Sequence, residues 1–188
     1  MALELRYYND PILRRKTPRV ALVDDSIRAL VQDMFVIMRS AKGVGLAANQ
    51  VGVPLQVFTL DLSVGGKPRG EMFALINPRV VRQSGSLTDE EGCLSFPGLR
   101  LMIRRPMEVR VEGLDINGNP AALEASGILA RAVMHETDHL NGIQFFRRLP
   151  FLKLLALLPS LPRLKRQYRR LRETGSVPQG RGGPAPEE

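Results

Sequence analysis

The sequence contains one thiol, Cys93, which excludes an internal disulfide framework. That cysteine is therefore a buried apolar filler, an incidental thiol, or a thiolate with chemistry of its own. Histidine is nearly as scarce, with only His135 and His139 in the chain. No stretch approaches the roughly 20 uninterrupted apolar residues that a membrane-spanning helix needs. The opening residues, MALELRYYNDPILRR, lack the apolar centre of a signal peptide, so a soluble, cytoplasmic protein is expected. There is no internal repeat. With 188 residues and 44% apolar content, the chain suits one compact domain with a full core and a tail.

A formal charge of +8 suggests a nucleic-acid binder until it is counted by region. Residues 1–146 carry 17 basic and 16 acidic side chains, close to balance. Residues 147–172 hold nine basic side chains and no acidic one: Arg147, Arg148, Lys153, Arg163, Lys165, Arg166, Arg169, Arg170 and Arg172. The excess charge is thus C-terminal. A charge run of this kind is either a solvated face or an electrostatic dock for a polyanion.

Residues 25–41 place Ile27, Leu30, Val31, Met34, Phe35 and Met38 on one stripe, which predicts an amphipathic helix capped by Asp24, Asp25 or Ser26. Strands are expected at 55–62, 73–81 and 107–116, the last followed by a turn at Asn117, Gly118, Asn119 and Pro120. A second helix is expected from Ser126 to Leu140, with Gly142 placed to end it. Beyond it, FLKLLALLPSLP at 151–162 is apolar, broken by Pro159 and Pro162, and is expected to pack against the body. Leu164, Tyr168 and Leu171 then recur near helical spacing among the arginines. The expected architecture is α+β: antiparallel strands around a buried central helix, with a C-terminal helical extension. The division is a catalytic domain at 1–148, a basic helical extension at 149–174, and a disordered tail at 175–188.

The second helix reads HETDH at 135–139. Residues four apart on a helix face the same way, so both imidazoles can grip one ion with Glu136 beside them. The bland reading is two histidines on a half-buried helix that happen to sit four apart. Against it, these are the only histidines present, and they stand at ligand spacing. A catalytic site usually needs three protein ligands and an open position for water. After His139 the chain offers no His, Asp or Cys, and its first Glu is Glu173, so a protease with a downstream third ligand is disfavoured. The available soft ligand lies upstream, Cys93 in EEGCLSFPG, where Gly92 permits close backbone approach and Pro97 and Gly98 stiffen the exit.

A third segment, GVGLAANQVG at 43–52, has Gly43, Gly45 and Gly52, with Gln50 as its one long amide donor. It lacks the Lys and Ser/Thr of a nucleotide-binding loop, and alone it reads as a turn. Taken together and in this order, GVGLAANQ, EGCLS and HETDH resemble the three signature motifs of the peptide deformylase family. The resemblance covers roughly residues 5–146, including DPILRRKTPRV at 10–20 and INPRV at 76–80.

What the resemblance implies is specific. Cys93, His135 and His139 would hold one divalent ion, Fe²⁺ in the cell, with Zn²⁺, Ni²⁺ or Co²⁺ able to occupy the site in preparations. Glu136 would be the general acid/base, and Gln50 with the backbone N–H of Leu94 would face the formyl oxygen. Val44 and Gly45 would pair with the peptide substrate, joined by Arg100. The substrate would be the N-terminal formylmethionine of nascent chains. The resemblance also implies ribosome association where the C-terminal helix is basic. One departure is Met134, where many relatives have Gln before HExxH. Asp138 is expected either to support the site or pair with an arginine such as Arg105, or to be a solvated surface carboxylate. Two other functions stay open: an unusual metallopeptidase, and a non-enzymatic RNA-binding protein with a structural metal.

Overall fold

The computed structural model describes residues 3–66 and 71–174. The expected disordered tail, 175–188, lies outside the described residues. The architecture mixes helices with antiparallel strands. Helix α1, Asp25–Ser40, starts where Asp24 accepts hydrogen bonds from the Ser26 and Ile27 amides at 3.0 and 3.2 Å. Such a cap contributes about 1 kcal/mol. Its stripe of Ile27, Leu30, Val31, Met34 and Met38 is buried.

Five strands form one antiparallel sheet: β1 Gly45–Ala47, β2 Val57–Asp61, β3 Met72–Ser84, β6 Glu108–Leu114 and β7 Pro120–Ser126, in that spatial order. The long β3 pairs with β2 through residues 72–76 and with β6 through 76–84, and its register shifts between Ile76 and Arg79. Asn77 sits at that irregularity with φ 55°, and its amide holds both the N–H and the carbonyl of Val20. The β6–β7 hairpin turns where the Asp115 carboxylate accepts from the Asn117 and Asn119 amides, each at 2.8 Å. A separate antiparallel hairpin joins β4, Leu87–Gly92, to β5, Arg100–Arg105.

Strand β7 runs directly into helix α2, Gly127–Leu140, with Gly127 at φ 56° as the joint. Few residues other than Gly, Asn and Asp adopt that conformation without strain. Helix α2 sets Leu129, Ala130, Val133 and Leu140 in one buried cluster with Phe58, Leu60, Leu75 and Val111. Burial of each large apolar side chain contributes roughly 1.5–3 kcal/mol. Met134 is half-buried against the same cluster, so the departure from the family pattern is a packing residue on the core side.

Helix α3, Phe151–Leu157, and helix α4, Leu161–Thr174, follow. The expectation that 151–162 packs against the body holds for one face only. Leu154, Leu157 and Leu161 join an aromatic cluster with Phe96, Phe145 and Phe146, but Phe151, Leu152, Leu155 and Leu158 are exposed. About two turns of helix before Pro159 have room to bury only one narrow face. No described helix is long and apolar enough to cross a membrane.

Candidate metal centre

His135 and His139 project from the same face of α2, their ring centroids 4.9 Å apart. The β4–β5 hairpin ends its first strand at Gly92 and delivers Cys93 against them, Sγ standing 3.1 Å from His139 Nε2. One ligand atom from each of Cys93, His135 and His139 lies within 4.8 Å of the others. Tetrahedral ligands at 2.0–2.3 Å from an ion stand about 3.5 Å from one another, so the donor set fits a single ion with minor adjustment. The chemistry fits as well, because a thiolate and two imidazoles are borderline-soft donors.

Glu91, two residues before Cys93, holds His135 from behind. Its carboxylate accepts from His135 Nδ1 at 2.6 Å, from Arg105 at 2.7 and 3.0 Å, and from Arg131 at 3.1 Å. With Nδ1 engaged, Nε2 is the nitrogen left for an ion. Burial alone would raise the Glu91 pKa, but the bonds from His135 and Arg105 hold it well below the usual carboxylate range. Burial also disfavours a charged imidazole. Cys93 and Glu91 overcome that at His135, which stands well above its ordinary value, whereas His139, beside His135, falls well below.

The charged network continues through Arg105, which bonds Asp138, and Arg148, whose Nε reaches Asp138 Oδ2 at 2.9 Å. Asp138 therefore pairs with Arg105, as anticipated, and also with an arginine counted above among the tail charges. Arg148 belongs to the body. Arg131 further fastens α2 to the hairpin by donating to the carbonyls of Ile103 and Leu87.

Glu136 is 3% exposed, and burial pushes its carboxyl up to about 7. Its Oε2 has no hydrogen-bond partner among the described residues. A buried, unpartnered carboxylate oxygen is costly and is retained where it has work with a mobile ligand. Gln50 enters from the short helical turn 48–51 after β1. Its Oε1 accepts from the Ala47 amide at 2.8 Å, which turns Nε2 towards Ser95 Oγ at 3.2 Å and Cys93 Sγ at 3.5 Å. Leu94 follows Cys93, and its amide donates to no acceptor among the described residues.

Val44 and Gly45 lie on the other flank, at the start of β1, which is an edge strand of the sheet. Arg100 opens β5, exposed and paired with Glu90 at 2.9 Å. Three contributors escaped the sequence reading: Glu91, Ser95, and Asn49, whose side chain donates to the His139 carbonyl at 2.6 Å.

A helix that presents two imidazoles and a carboxylate to a cysteine brought in by a separate hairpin has the donor set of a metal-dependent hydrolase. Comparison with known proteins narrows that class. The family model for polypeptide deformylases matches residues 2–154. Peptide deformylase 1 of Clostridium perfringens is 44% identical over 141 residues, 75% of this chain and 93% of the relative. Peptide deformylase of Rhodopirellula baltica is 37% identical over 177 residues, 94% of this chain and 88% of the relative. The crystal structure of a Synechococcus elongatus peptide deformylase in complex with actinonin superposes with a TM-score of 0.75 at 38% identity, covering 96% of this chain and 92% of that one. The chain belongs to the peptide deformylase family.

Proposed function

We propose that the protein hydrolyses the formamide at the N-terminus of formylmethionyl nascent polypeptides, releasing formate and a free amine. The observation that carries this reading is the aim of Gln50: its amide N–H₂ is locked towards the Cys93 thiolate, beside the two histidines. An RNA-binding protein with a structural metal has no use for a donor so placed, and the family separates the reaction from that of a metallopeptidase.

Cys93, His135 and His139 would hold one divalent ion, which supplies, when bound, a lowered pKa for water and polarisation of the substrate carbonyl. Glu136 takes the proton of the attacking water and later delivers it to the departing α-amine. Gln50 Nε2 and the Leu94 N–H donate to the oxygen of the formyl group as negative charge gathers there. Each such donor is typically worth roughly 3–4 kcal/mol in the transition state. The open edge of β1 lets Val44 and Gly45 pair with an extended peptide as an added strand, and Arg100, at the neighbouring hairpin, borders the path of the chain.

Fe²⁺ is the proposed physiological ion, although Zn²⁺ generally binds such donors more tightly and, like Ni²⁺ or Co²⁺, can occupy the site in preparations. The test is anaerobic Fe²⁺ loading followed by a formate-release assay on a formyl-Met peptide. Formate with the internal peptide bonds intact supports the reading. Internal cleavage, or no formate from metal-loaded protein, overturns it.

Gly45 has a second duty that substitution would expose. A methyl group there would overlap Glu136 Oε1 and lie 2.9 Å from Cγ and Cδ. Gly45→Ala is therefore expected to displace the carboxylate and lower kcat/KM at least tenfold. Overpacking of this kind costs about 1–3 kcal/mol. Formate release and thermal unfolding measure the two effects, and unchanged turnover would show that Glu136 tolerates the shift.

The proposed division is a catalytic domain at 1–148 and a basic extension at 149–174, with the cytoplasm as the working compartment. Arg163, Lys165 and Arg166 are exposed on α4, free to meet ribosomal RNA near emerging chains. Reversing charge at Lys165, Arg166, Arg169 and Arg170 to Glu is expected to abolish ribosome co-sedimentation at low salt and leave formate release from short peptides intact. Retained co-sedimentation would remove the dock.

A further inference from the structure

The loops that carry Gln50 and Cys93 are fastened from outside by segments the proposed chemistry does not use. The Arg6 amide donates to the Gln50 carbonyl at 2.7 Å, and the Tyr8 amide donates to the Ser95 carbonyl at 2.9 Å. Residues 6–8 thus strap one loop to the other by backbone alone. The Tyr8 ring lies 5.3 Å from Phe96, inside the tight turn in which the Phe96 amide bonds the Cys93 carbonyl at 2.9 Å.

Over this strap lies Tyr168 of α4, only 2% exposed. Its ring stacks on Tyr7 at 6.3 Å and meets Tyr8 edge-on at 6.4 Å. Its hydroxyl donates to the Pro97 carbonyl at 2.8 Å, four residues beyond Cys93. Leu161 and Tyr168, seven apart and so on one helical face, are both buried, while Arg163, Lys165 and Arg166 are exposed. A helix retained only for its charge would have no need to insert a tyrosine between the chain's first residues and the cysteine loop.

We propose that Tyr168 is a positioning residue for the metal centre: α4 holds the Cys93 loop in place against α2 through the Tyr168–Pro97 hydrogen bond and the tyrosine stack. The thiolate and the Leu94 amide are on one short loop, so slack at Pro97 reaches both. Helix α4 then carries two separate roles, a brace on its buried face and a charged surface on its exposed one. The inference rests on the metal-site reading above.

Cobalt tests it without reference to turnover, because a thiolate bound to Co²⁺ gives a charge-transfer band sensitive to the Co–S geometry. The full-length protein is loaded with Co²⁺ and challenged with excess chelator. Tyr168→Phe, which keeps the ring and loses one hydrogen bond, is expected to release metal about two- to tenfold faster. Tyr168→Ala, which also loses the stack, is expected to exceed that and to shift the band. Leu123→Ala, in a half-buried position on β7, supplies a destabilised control remote from the loop and is expected to release metal at the wild-type rate. Wild-type release from both tyrosine variants overturns the brace, as does equal acceleration in Leu123→Ala. If Tyr168→Ala does not fold, Tyr168→Phe decides the matter alone. Absence of the band in wild-type protein would instead remove the metal reading itself.

Discussion

Glu136→Gln is expected to bind metal as tightly as the wild type and to lose about 10²- to 10⁴-fold in kcat, the usual worth of a positioned acid–base group. The substitution nearly preserves shape, so the neighbouring histidines keep their places on α2. What disappears is a group able to take a proton and return it. The carboxylate is almost wholly buried and one of its oxygens has no partner among the described residues, so an amide placed there can offer hydrogen bonds but no basicity. Metal content measured beside formate release separates the two contributions. A variant with full metal and undiminished turnover would transfer the proton role to another residue.

The second large effect is expected at Glu91. Glu91→Ala removes the one carboxylate shared by His135, Arg105 and Arg131, leaving buried cations short of a partner. Breaking a buried ion pair from one side costs about 3–5 kcal/mol. In a chain of this size each kcal/mol lowers Tm by roughly 2–4 °C, so the metal-free variant should melt about 6–20 °C below the wild type. Freed from its carboxylate, His135 should also hold metal about 10- to 100-fold less tightly, the usual worth of such an outer support. Glu91→Gln should fall between, since the amide oxygen can still accept from His135 but carries no charge. Thermal unfolding of metal-free protein and chelator competition on the loaded form report the two effects separately. A Glu91→Ala protein as stable as the wild type would mean that Asp138 suffices for Arg105, and the Ile103 and Leu87 carbonyls for Arg131.

These two sites differ in how well the sequence announced them. Glu136 sits inside a five-residue motif on a helix whose apolar period was visible, and the same period located α1. Glu91 belongs to β4, whose residues LTDEEG are too polar to read as a strand, and its partner His135 is 44 positions away. A hint was present: of the adjacent Glu90 and Glu91, strand alternation must turn one inward, but nothing local says which. Strand β1 was invisible for another reason, since three residues are too few to show a period, and its pairing with β2 is what makes it a strand. The C-terminal segment was legible in charge and spacing but not in contacts. Arg148 reads as one more tail arginine until Asp138 is seen beside it, and Tyr168 as one apolar position in a basic helix until Pro97 is.

The proposed ligand set also links occupancy to the folding equilibrium. Cys93 and His139 are 46 residues apart, and between them lie the second strand of one hairpin, two strands of the main sheet and most of α2. In an unfolded chain the histidines of HETDH and the distant Cys93 thiol meet an ion only as separate, weak ligands. The three-donor site is therefore a property of the native state, and a bound ion shifts the balance between native and unfolded chains by mass action. At free metal a thousandfold above the dissociation constant, that shift is about 4 kcal/mol, comparable with the whole contribution of Glu91. Metal starvation should therefore reduce the amount of folded protein as well as its activity.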